Sequence, residues 1–514
     1  MRSMLIDSRA VSTLSVLLLT GCVDVPDAGP SGFSIALSSD KLLVREGEAE
    51  SVTVTVMRDP GFTASVTLAV TGLPGGVASD PVTVAGSDAT GTVSFQAEIG
   101  AVQGSAKVSI DASGGDAETQ QADLALLVGG APGTPDRSFA GDGSFNYTVD
   151  GQTYIGRGIA IQDDGLILAT GSTATQAVTI RLLPDGQFDS SFGTNGVAAS
   201  GTGTYSEGLA VTQLDDGRII SAGVANGEGS SGYDFGVHAY SSSGVLDSTF
   251  GTDGIAVFDP SDPGFAELLT LAVADNGDLV VSGTDFGTGS ARALRFSNLG
   301  IRDDTFNVND AGVAVEAAVI QSDGKIVIGG SSGGDFWLAR YNADGSRDGG
   351  FGIGGVVTTD FQGANDEVHG LALLPGGAIL AVGVASDGVN DRVASARYTA
   401  GGTLDGTYGT DGKAETAIVF TCLSPNAIAV DDQNRILFVG AVGILPSLVR
   451  LNPDGSPDPG FGTGGLASVD FGVTGSTIAT GGFGVAIDTD GRILFTGAVG
   501  PPGAQEIIVG RVWP

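Results

Sequence analysis

The sequence predicts an all-β protein with two domains, an immunoglobulin-like β-sandwich followed by a seven-bladed β-propeller. Seven short segments with alternating apolar residues occupy residues 33–128, and a three-part motif recurs seven times between residues 134 and 514. Glycine contributes 85 of the 514 residues without a collagen-like period, which indicates many tight turns between short strands. Repeats of about 40 to 50 residues that are rich in short strands are typical of β-propellers.

The N-terminal residues predict a lipoprotein signal peptide. Arg2 and Arg9 precede an apolar stretch from Ala10 to Leu19, which is too short to span a bilayer. Leu19-Thr20-Gly21-Cys22 follows directly, and this tetrad resembles the lipobox of bacterial lipoproteins.

The lipobox resemblance implies that residues 1–21 are removed and that Cys22 becomes an acylated, palmitate-bearing N-terminus. Several long acyl chains give stable membrane anchoring, whereas a single chain is marginal. The expected location is the bacterial cell envelope, at the outer membrane or the cell surface, with the membrane as a partner through the lipid. The leaflet stays open, and secretion without lipidation after cleavage elsewhere is the alternative.

Charge and cysteine usage narrow the partners and the chemistry. Asp and Glu total 59 against 23 Lys and Arg, a net charge of −36, so the surface would repel a phosphate backbone and nucleic acid is excluded as a partner. If Cys22 is acylated, Cys422 has no intramolecular partner and no disulfide is expected. Cys422 lies in the apolar stretch 417–423, which predicts a buried core residue rather than a nucleophile.

Residues 22–32 form a predicted tether, and residues 33–128 form the predicted sandwich. In Ser51–Val56 the valines alternate with hydroxyl residues, as a half-buried strand requires. About seven strands in about 100 residues fit an immunoglobulin-like sandwich. The phrase Thr71–Val77 also resembles the turn after a central strand in bacterial surface Ig-like modules. Residues 129–133 make a short linker. The predicted strands are 33–37, 51–57, 65–71, 81–84, 92–97, 107–110 and 122–128.

Residues 134–514 form the predicted propeller, and three markers keep one order through each repeat. The first is an aromatic-Gly signal at intervals of 45 to 58 residues: Phe139, Phe192, Phe250, Phe306, Phe351, Tyr408 and Phe461. The second is an Asp-Gly turn before an apolar run, with Gly165, Gly217, Gly277, Gly324, Gly377, Asn434 and Gly491 in the glycine position. The third is a basic strand end at Arg181, His238, Arg295, Arg340, Arg397, Arg450 and Arg511.

These repeats resemble the delta-sixty repeat, a bacterial propeller-type family. The best matches are Asp323-Gly324-Lys325-Ile326, Ala339–Ser346, Phe188–Gly193 and Leu246–Gly251. The sequence departs from the pattern at Ala140, Asn307, Tyr408 and Asn434. The resemblance implies a propeller over about three-quarters of the chain and brings no established catalytic residues.

The phase of the repeats predicts how the ring closes. The region starts with an aromatic-Gly segment, Thr134–Asp150, and ends with an Arg strand, Ile507–Trp513. The first segment should therefore supply the fourth strand of the last blade, which removes two free sheet edges. Each Asp-Gly pair between apolar runs predicts a tight type I′ turn.

Few residues are candidates for chemistry. The chain has two histidines: His238 is assigned to the repeat's Arg position, and His369 to the start of an inner strand, so a metal pair or proton relay is not expected. The recurring Arg residues are interpreted as framework contacts. Structural calcium is the one cofactor kept open, because three acidic pairs resemble parts of calcium loops, although none extends to a complete loop. The pairs are Asp163-Asp164, Asp215-Asp216 and Asp431-Asp432. No nucleophile elbow, zinc-protease motif or P-loop occurs, so no catalytic, metal-binding or cofactor-binding residue is assigned.

Two classes of function fit this sequence. The favoured one is a lipid-anchored envelope protein whose sandwich is a stalk and whose propeller presents loops to an unidentified protein or glycan. The alternative is a propeller hydrolase or lyase acting on an extracellular polymer, because propellers host both binding and catalysis. The stretches expected to contact a partner are the irregular loops Ala225–Tyr233, Asp259–Ala266 and Ala385–Asp391.

Overall fold

The protein is all-β in the part that the structure, a computed structural model, describes. The described residues are 32–148, 155–173, 175–201, 206–225, 234–258, 266–285, 288–306, 308–361, 363–419, 427–442, 445–470, 480–499 and 505–514. They contain strands and turns and no helix. Contacts divide them into two compact units, the first with residues 32–42, 49–96 and 106–126 and the second with residues 43–48, 97–105 and the described residues from 127 onward.

The N-terminal strands form two sheets with the orders β1-β3-β7-β5 and β2-β9-β8-β4-β6. The predicted alternation in Ser51–Val56 is confirmed, since Val52, Val54 and Val56 are at most 3% exposed while Ser51 and Thr53 face solvent. Nine strands occur here rather than the seven expected. The nine are β1 Phe33–Leu37, β2 Lys41–Arg45, β3 Ala49–Arg58, β4 Val66–Thr71, β5 Val77–Ala78, β6 Val82–Val84, β7 Thr90–Ala97, β8 Gly104–Ser113 and β9 Gln120–Gly129.

The two strands missed were β2 and β5. In β2 the apolar residues Leu42, Leu43 and Val44 are consecutive, so the period-two signal is absent. Strand β5 has two residues, too few to show any periodicity.

The described residues of the second unit contain seven antiparallel four-stranded sheets, each joined in chain order except the last. The first sheet consists of β11 Ile155–Ile161, β12 Ile167–Ser172, β13 Ala177–Leu182 and β14 Val197–Ser200. The second consists of β15 Ser206–Gln213, β16 Ile219–Ala225, β17 Asp234–Tyr240 and β18 Ile255–Phe258. The third consists of β19 Ala266–Val273, β20 Leu279–Asp285, β21 Ser290–Phe296 and β22 Val308–Ala311. The fourth sheet consists of β23 Ala314–Ile320, β24 Ile326–Ser332, β25 Asp335–Tyr341 and β26 Val356–Thr359. The fifth consists of β27 Asp366–Leu373, β28 Ile379–Ser386, β29 Asp391–Tyr398 and β30 Lys413–Val419. The sixth sheet consists of β31 Ile428–Val430, β32 Ile436–Val442, β33 Leu445–Leu451 and β34 Leu466–Ser468. The seventh consists of β35 Thr480–Ile487, β36 Ile493–Val499 and β37 Glu506–Val512, and β10 Ser144–Tyr147 is its fourth strand.

The predicted closing strand is confirmed. Strand β10, from the Thr134–Asp150 segment, pairs antiparallel with β37, with Ser144 opposite Gly510 and Tyr147 opposite Ile507. The seventh sheet therefore joins strands from both ends of the repeat region, and the edge of β37 is covered.

Hydrophobic cores lie between consecutive sheets and close into a ring. Seven clusters of buried residues are found in the described chain, each shared by two neighbouring sheets. One of them joins the last sheet to the first, with Leu494 and Ile507 packed near Ile167 and Phe139. The aromatic of every first marker belongs to one of these cores and is fully buried, which explains why an aromatic residue recurs there.

The Asp-Gly turns differ from the expected type I′ geometry. Gly324 has a φ of 79° and Gly165 one of 84°, but the preceding Asp residues do not have positive φ. In the turn after β23 the Gly324 N–H donates to the carbonyl of Gln321, and the Gln321 N–H donates to the carbonyl of Lys325. The loop is thus three residues long with one left-handed position, which Asn434 fills with a φ of 58° in the sixth sheet.

Candidate functional site

The repeated arginines form a framework between sheets. In six sheets the Arg Nε donates to an Asp carboxylate at 2.7 to 3.1 Å, and the guanidinium lies 4.4 to 5.4 Å from the centroid of the first-marker aromatic. The pairs are Arg181–Asp189, Arg295–Asp303, Arg340–Asp348, Arg397–Asp405, Arg450–Asp458 and Arg511–Asp136.

Most of these arginines also bridge to the next sheet. Arg181 donates to the carbonyl of Ser242 at 2.5 Å, and Arg511 donates to the carbonyl of Pro184 at 2.5 Å. Planar guanidinium groups suit such simultaneous contacts with a carboxylate, an aromatic face and a carbonyl. These contacts confirm the framework interpretation of the repeated Arg.

The assignment of His238 to the repeat's Arg position was wrong. In the other sheets, the backbone N–H of the paired Asp donates to the carbonyl of the framework Arg, as Asp189 donates to Arg181. In the second sheet, the N–H of Asp247 donates to the carbonyl of Ala239. Ala239 therefore holds the Arg position, and His238, one residue earlier, points to the opposite face of the strand.

Arg218, directly before β16, replaces the missing framework arginine. Its Nη1 donates to the carbonyl of Asn298 at 2.6 Å and lies 3.5 Å from Asp247, the two partners that an Arg at position 239 would have contacted. Asp216 holds the guanidinium at 2.8 Å. This substitution was not predicted from the sequence, because the basic residue lies in the turn before β16 and not at the repeat's Arg position in β17.

His238 lies inside the second sheet's packing. Its Nδ1 is 2.6 Å from Ser200 Oγ, which in turn is 2.5 Å from the Tyr240 hydroxyl, and all three side chains are buried. Burial lowers the pKa of His238 to about 4 and raises that of Tyr240 to about 12. This network is a buried polar link between two sheets rather than an accessible catalytic pair.

The innermost strands surround a channel. Strands β11, β15, β19, β23, β27, β31 and β35 contact one another in that order, and β35 contacts β11. Six of them, as far as they are described, carry a β-bulge near the start of the strand, as between Gly156 and Gly158 or between Val368 and Gly370. A bulge inserts one extra residue that is not paired in the strand-to-strand hydrogen-bond ladder, and it changes the direction of that residue's side chain.

A cavity of about 140 Å³ lies in this channel at the level of the bulges. The residues that line it include Arg157 and Leu209, the bulged residues of β11 and β15, and Thr270 of β19. Arg157 Nε donates to Glu207 Oε1 at 3.0 Å across two sheets. The lining is thus asymmetric, in contrast to the repeated framework of the outer strands.

His369 occupies the bulge position of β27. Its side chain is 6% exposed, and neither ring nitrogen has a hydrogen-bond partner in the described residues. Nε2 lies 3.7 Å from Glu367 Oε2, beyond hydrogen-bonding distance. Burial lowers the pKa of His369 to about 4, while burial and then the charge of Asp391 raise that of Glu367.

One group of three acidic side chains lies at strand ends of the fourth and fifth sheets. Carboxylate oxygens of Asp335, Asp360 and Asp366 lie within 4.8 Å of one another, the one such group of potential metal ligands found across the described ranges. Asp366 is fully buried and accepts from the Phe361 N–H at 2.8 Å. Burial, followed by the charges of Asp360 and Asp335, raises the pKa of Asp366. The acidic pairs singled out in the sequence take no part in this group.

Of the three loops expected to contact a partner, Ala385–Asp391 is described. Asp387 Oδ1 accepts from the backbone N–H groups of Val389 and Asn390, and its other oxygen pairs with Arg392 at 2.7 Å. Val389 at the tip is 87% exposed. The loop is therefore internally hydrogen-bonded and presents one apolar side chain.

Several predicted features lie outside the described residues. These are the signal peptide 1–21, the lipidation site Cys22, most of the tether 22–32, Cys422, residues 226–233 of the first loop and 259–265 of the second. In the remaining residues, no helix is both long enough and apolar enough to cross a membrane.

Comparison with known proteins supports a β-propeller. A family described as a beta-propeller domain of unknown function, DUF5122, matches residues 162–192, 321–351 and 434–461. These three segments cover equivalent parts of the first, fourth and sixth sheets, from the turn after the innermost strand to the first-marker aromatic. The family and the ring of sheets together define the second unit as a β-propeller. No curated protein matches the chain.

Solved structures with some likeness are distant. An exo-beta-1,3-galactanase from Clostridium thermocellum is 10% identical, with 73% of this chain and 88% of that one covered and a TM-score of 0.31. A prolyl oligopeptidase B from Galerina marginata is 8% identical, with 71% and 50% covered and a TM-score of 0.32. Domains 5–6 of the S-layer protein SbsC are 14% identical, with 54% and 95% covered and a TM-score of 0.15.

Proposed function

We propose that the chain is a lipid-anchored binding or scaffold protein of the bacterial cell envelope. In this proposal Cys22 carries the acyl chains and an immunoglobulin-like sandwich acts as a stalk. A seven-bladed propeller of delta-sixty-type repeats presents loops to a protein or glycan partner. The membrane is a partner only through the lipid.

The observation that carries the proposal is the use of the repeated charged residues. The six repeated arginines each pair with an aspartate, and five of them also donate to a carbonyl of the next sheet. The strongest sequence signal therefore belongs to the scaffold. The loops and the channel wall differ from one sheet to the next, whereas the framework residues repeat. In many proteins a rigid scaffold carries binding residues on such variable loops.

The loop contribution can be tested by replacement. Exchanging Ala385–Asp391 for a short Gly/Ser turn removes the exposed Val389 and the Asp387–Arg392 pair while leaving the inner and outer strands intact. Capture of the envelope partner, or adhesion of cells carrying the protein, should fall at least tenfold with the melting temperature nearly unchanged. Replacement of a turn on the opposite ends of the strands, residues 323–324, serves as the control. Equal binding by wild type and loop variant would remove this loop from the proposal.

The anchor has a separate test. Metabolic labelling with a palmitate analogue should mark the wild type and leave Cys22→Ala unlabelled. Labelling of both proteins to the same extent would refute acylation at Cys22.

A hydrolase or lyase acting on an extracellular polymer is the alternative. Glu367 beside His369 favours it, because perturbed pKa values cluster at catalytic sites. Turnover of a glycosidic, ester or peptide substrate that disappears in Glu367→Gln, and survives loop replacement, would favour the enzyme over the binding protein.

A further inference from the structure

We propose that a cavity between the sixth and seventh sheets binds an extended peptide segment with a basic side chain, and that a main-chain carbonyl of this peptide accepts from Arg450. The cavity has a volume of about 830 Å³, and all residues that line it belong to the second unit. It lies beside the turns before β32 and β36. These turns are at the opposite ends of the strands from Ala385–Asp391, so the site is separate from the loop on which the proposed function rests.

Arg450 differs from the other repeated arginines at its Nη1 atom. In five sheets, Nη1 donates to a main-chain carbonyl of the next sheet, as Arg295 does to Ala343 at 2.5 Å. Arg450 is 2% exposed and lines the cavity, and its Nη1 has no hydrogen-bond partner among the described residues. Because a buried donor without an acceptor is costly, the fold favours a ligand that supplies an oxygen atom there.

The carbonyl in the equivalent position is held by a different arginine. In the five sheets the acceptor is the third residue after the framework position, as Ala343 is after Arg340. The third residue after Arg511 is Pro514, and its main-chain oxygen accepts from Arg45 Nη2 at 2.8 Å. Because the framework geometry repeats, Arg450 Nη1 is directed toward Pro514 and the cavity that both residues line.

The cavity has space beside this guanidinium because Gly460 has no side chain. In three other sheets the residue two positions after the paired Asp has a hydroxyl that accepts from the Arg Nη2. These residues are Ser138, Ser191 and Thr407. Gly460 holds that position after Asp458 and lines the cavity. A Cβ built on Gly460 would meet Asp458 Oδ1 at 3.2 Å and no other atom within 4 Å, so the space that a hydroxyl takes in those sheets is open to a ligand.

The charges around the cavity favour a peptide carbonyl over a free anion. Five aspartates and three arginines line it: Asp431, Asp432, Asp458, Asp488, Asp490, Arg45, Arg435 and Arg450. An anion would be repelled by this excess of carboxylates, whereas a main-chain carbonyl is neutral. The exposed Asp432 adds a negative charge at the solvent side, which a Lys or Arg side chain of the same peptide complements. Val430 and Ile487 add apolar surface.

A serine at Gly460 gives a direct test. Gly460→Ser supplies the hydroxyl that Ser191 provides in the first sheet, so it should fill the space without lowering the melting temperature. Gly350→Ser is the matched control. Gly350 holds the same position in the fourth sheet, its Cβ would also lie 3.2 Å from an Asp Oδ1, and Arg340 Nη1 already has Gln321 Oε1 as an acceptor at 3.1 Å.

The probe is a phage-displayed library of random nonapeptides, selected on the full chain after depletion on Gly460→Ser. Selection at about 150 mM salt limits screened attraction to the acidic surface, because the Debye length is then about 8 Å. The selected peptides should be enriched in Lys and Arg. In fluorescence anisotropy they should bind Gly460→Ser about tenfold more weakly than the wild type, and Gly350→Ser as tightly as the wild type.

A charge variant tests the basic side chain of the peptide. Asp432→Asn should weaken binding about threefold, because it removes an exposed carboxylate of the cavity. Asp163→Asn is its control, since Asp163 is exposed at the same position of the turn before β12 and removes the same charge from the protein. It should leave the affinity unchanged.

Three results would overturn the proposal: no peptide separates the wild type from Gly460→Ser, the selected peptides are not basic, or each variant and its control weaken binding equally. None of them bears on the loop. A protein with Ala385–Asp391 replaced should keep its affinity for the selected peptides even if capture of the envelope partner is lost, so the two proposals fail independently.

Discussion

Acidification from pH 7 to pH 5 should destabilise the propeller through its two histidines. Both are buried, and burial lowers the pKa of each to about 4. An exposed histidine in the unfolded chain has a pKa of about 6.5. Between these values the unfolded state binds more protons than the folded state, so stability is present above pH 6.5 and is lost as the pH falls toward 4.

The expected size follows from integrating proton uptake between the two states. For an unfolded pKa of about 6.5 and a folded pKa of about 4, the loss from pH 7 to pH 5 is about 2 kcal/mol per histidine, or about 4 kcal/mol for both. Asp366 and Glu367 act in the opposite direction, because their raised pKa values give stability that is present at low pH and is lost as the pH rises. The net loss in the wild type should therefore be smaller than the histidine sum.

Urea unfolding followed by tryptophan fluorescence measures this change. The chain has two tryptophans, Trp337 and Trp513, both buried and both in the second unit, so the signal reports the propeller. His238→Phe and His369→Phe should each reduce the pH 7 to pH 5 difference by about 2 kcal/mol, and the double variant should remove both contributions. If neither variant changes the pH slope, the histidines are not held neutral in the fold and the burial argument is wrong.

Three further changes test the framework and the turns. Arg511→Met leaves the buried Asp136 carboxylate with a more distant cation, Arg492 at 3.8 Å, and should cost about 3 kcal/mol in urea unfolding. Lys107→Ala, at a solvent-exposed ion pair, should cost less than about 1 kcal/mol. Ala140 has a φ of 53° where five other sheets place Gly, so Ala140→Gly should stabilise by about 0.5–1 kcal/mol, seen as a higher urea midpoint. Asn434→Gly should gain less, because asparagine tolerates the left-handed region. A loss of stability in Ala140→Gly, or equal costs for the two ion-pair variants, would contradict these assignments.

The repeat region was predictable because its signals are local and redundant. The aromatic and Arg markers each correspond to a buried contact, and the Asp-Gly marker corresponds to a turn. Because the three markers recur in one order with a period of about 54 residues, each repeat can be aligned even where a marker residue is replaced, as at Ala140 or Asn434. The closing strand followed from phase alone. The register of the third strand in the second sheet did not, since moving the assignment by one residue from Ala239 to His238 reverses which face a side chain occupies.

The channel wall was hard to predict because a β-bulge has no strong sequence pattern. Arg157 and Glu207 are 50 residues apart and belong to different sheets, and Thr270 is a third sheet's contribution. What brings them together is the packing of the innermost strands of three consecutive sheets, β11, β15 and β19. A weak local signal exists in Gly156-x-Gly158, because small residues beside a bulge allow the close approach of the next strand: a Cβ at Gly158 would lie 3.0 Å from the carbonyl oxygen of Leu209.

The two histidines differ in how far the protein satisfies their ring nitrogens. Both are buried and neutral, and sequence alone gave them the same structural interpretation. His238 has Ser200 as a partner at 2.6 Å and lies between sheets, so its polar requirement is partly met by the protein. His369 lies at a bulge of an innermost strand, and neither of its nitrogens has a partner among the described residues. Leaving a buried polar group without a partner costs about 1–3 kcal/mol, so the fold bears this cost in full at His369 and only in part at His238.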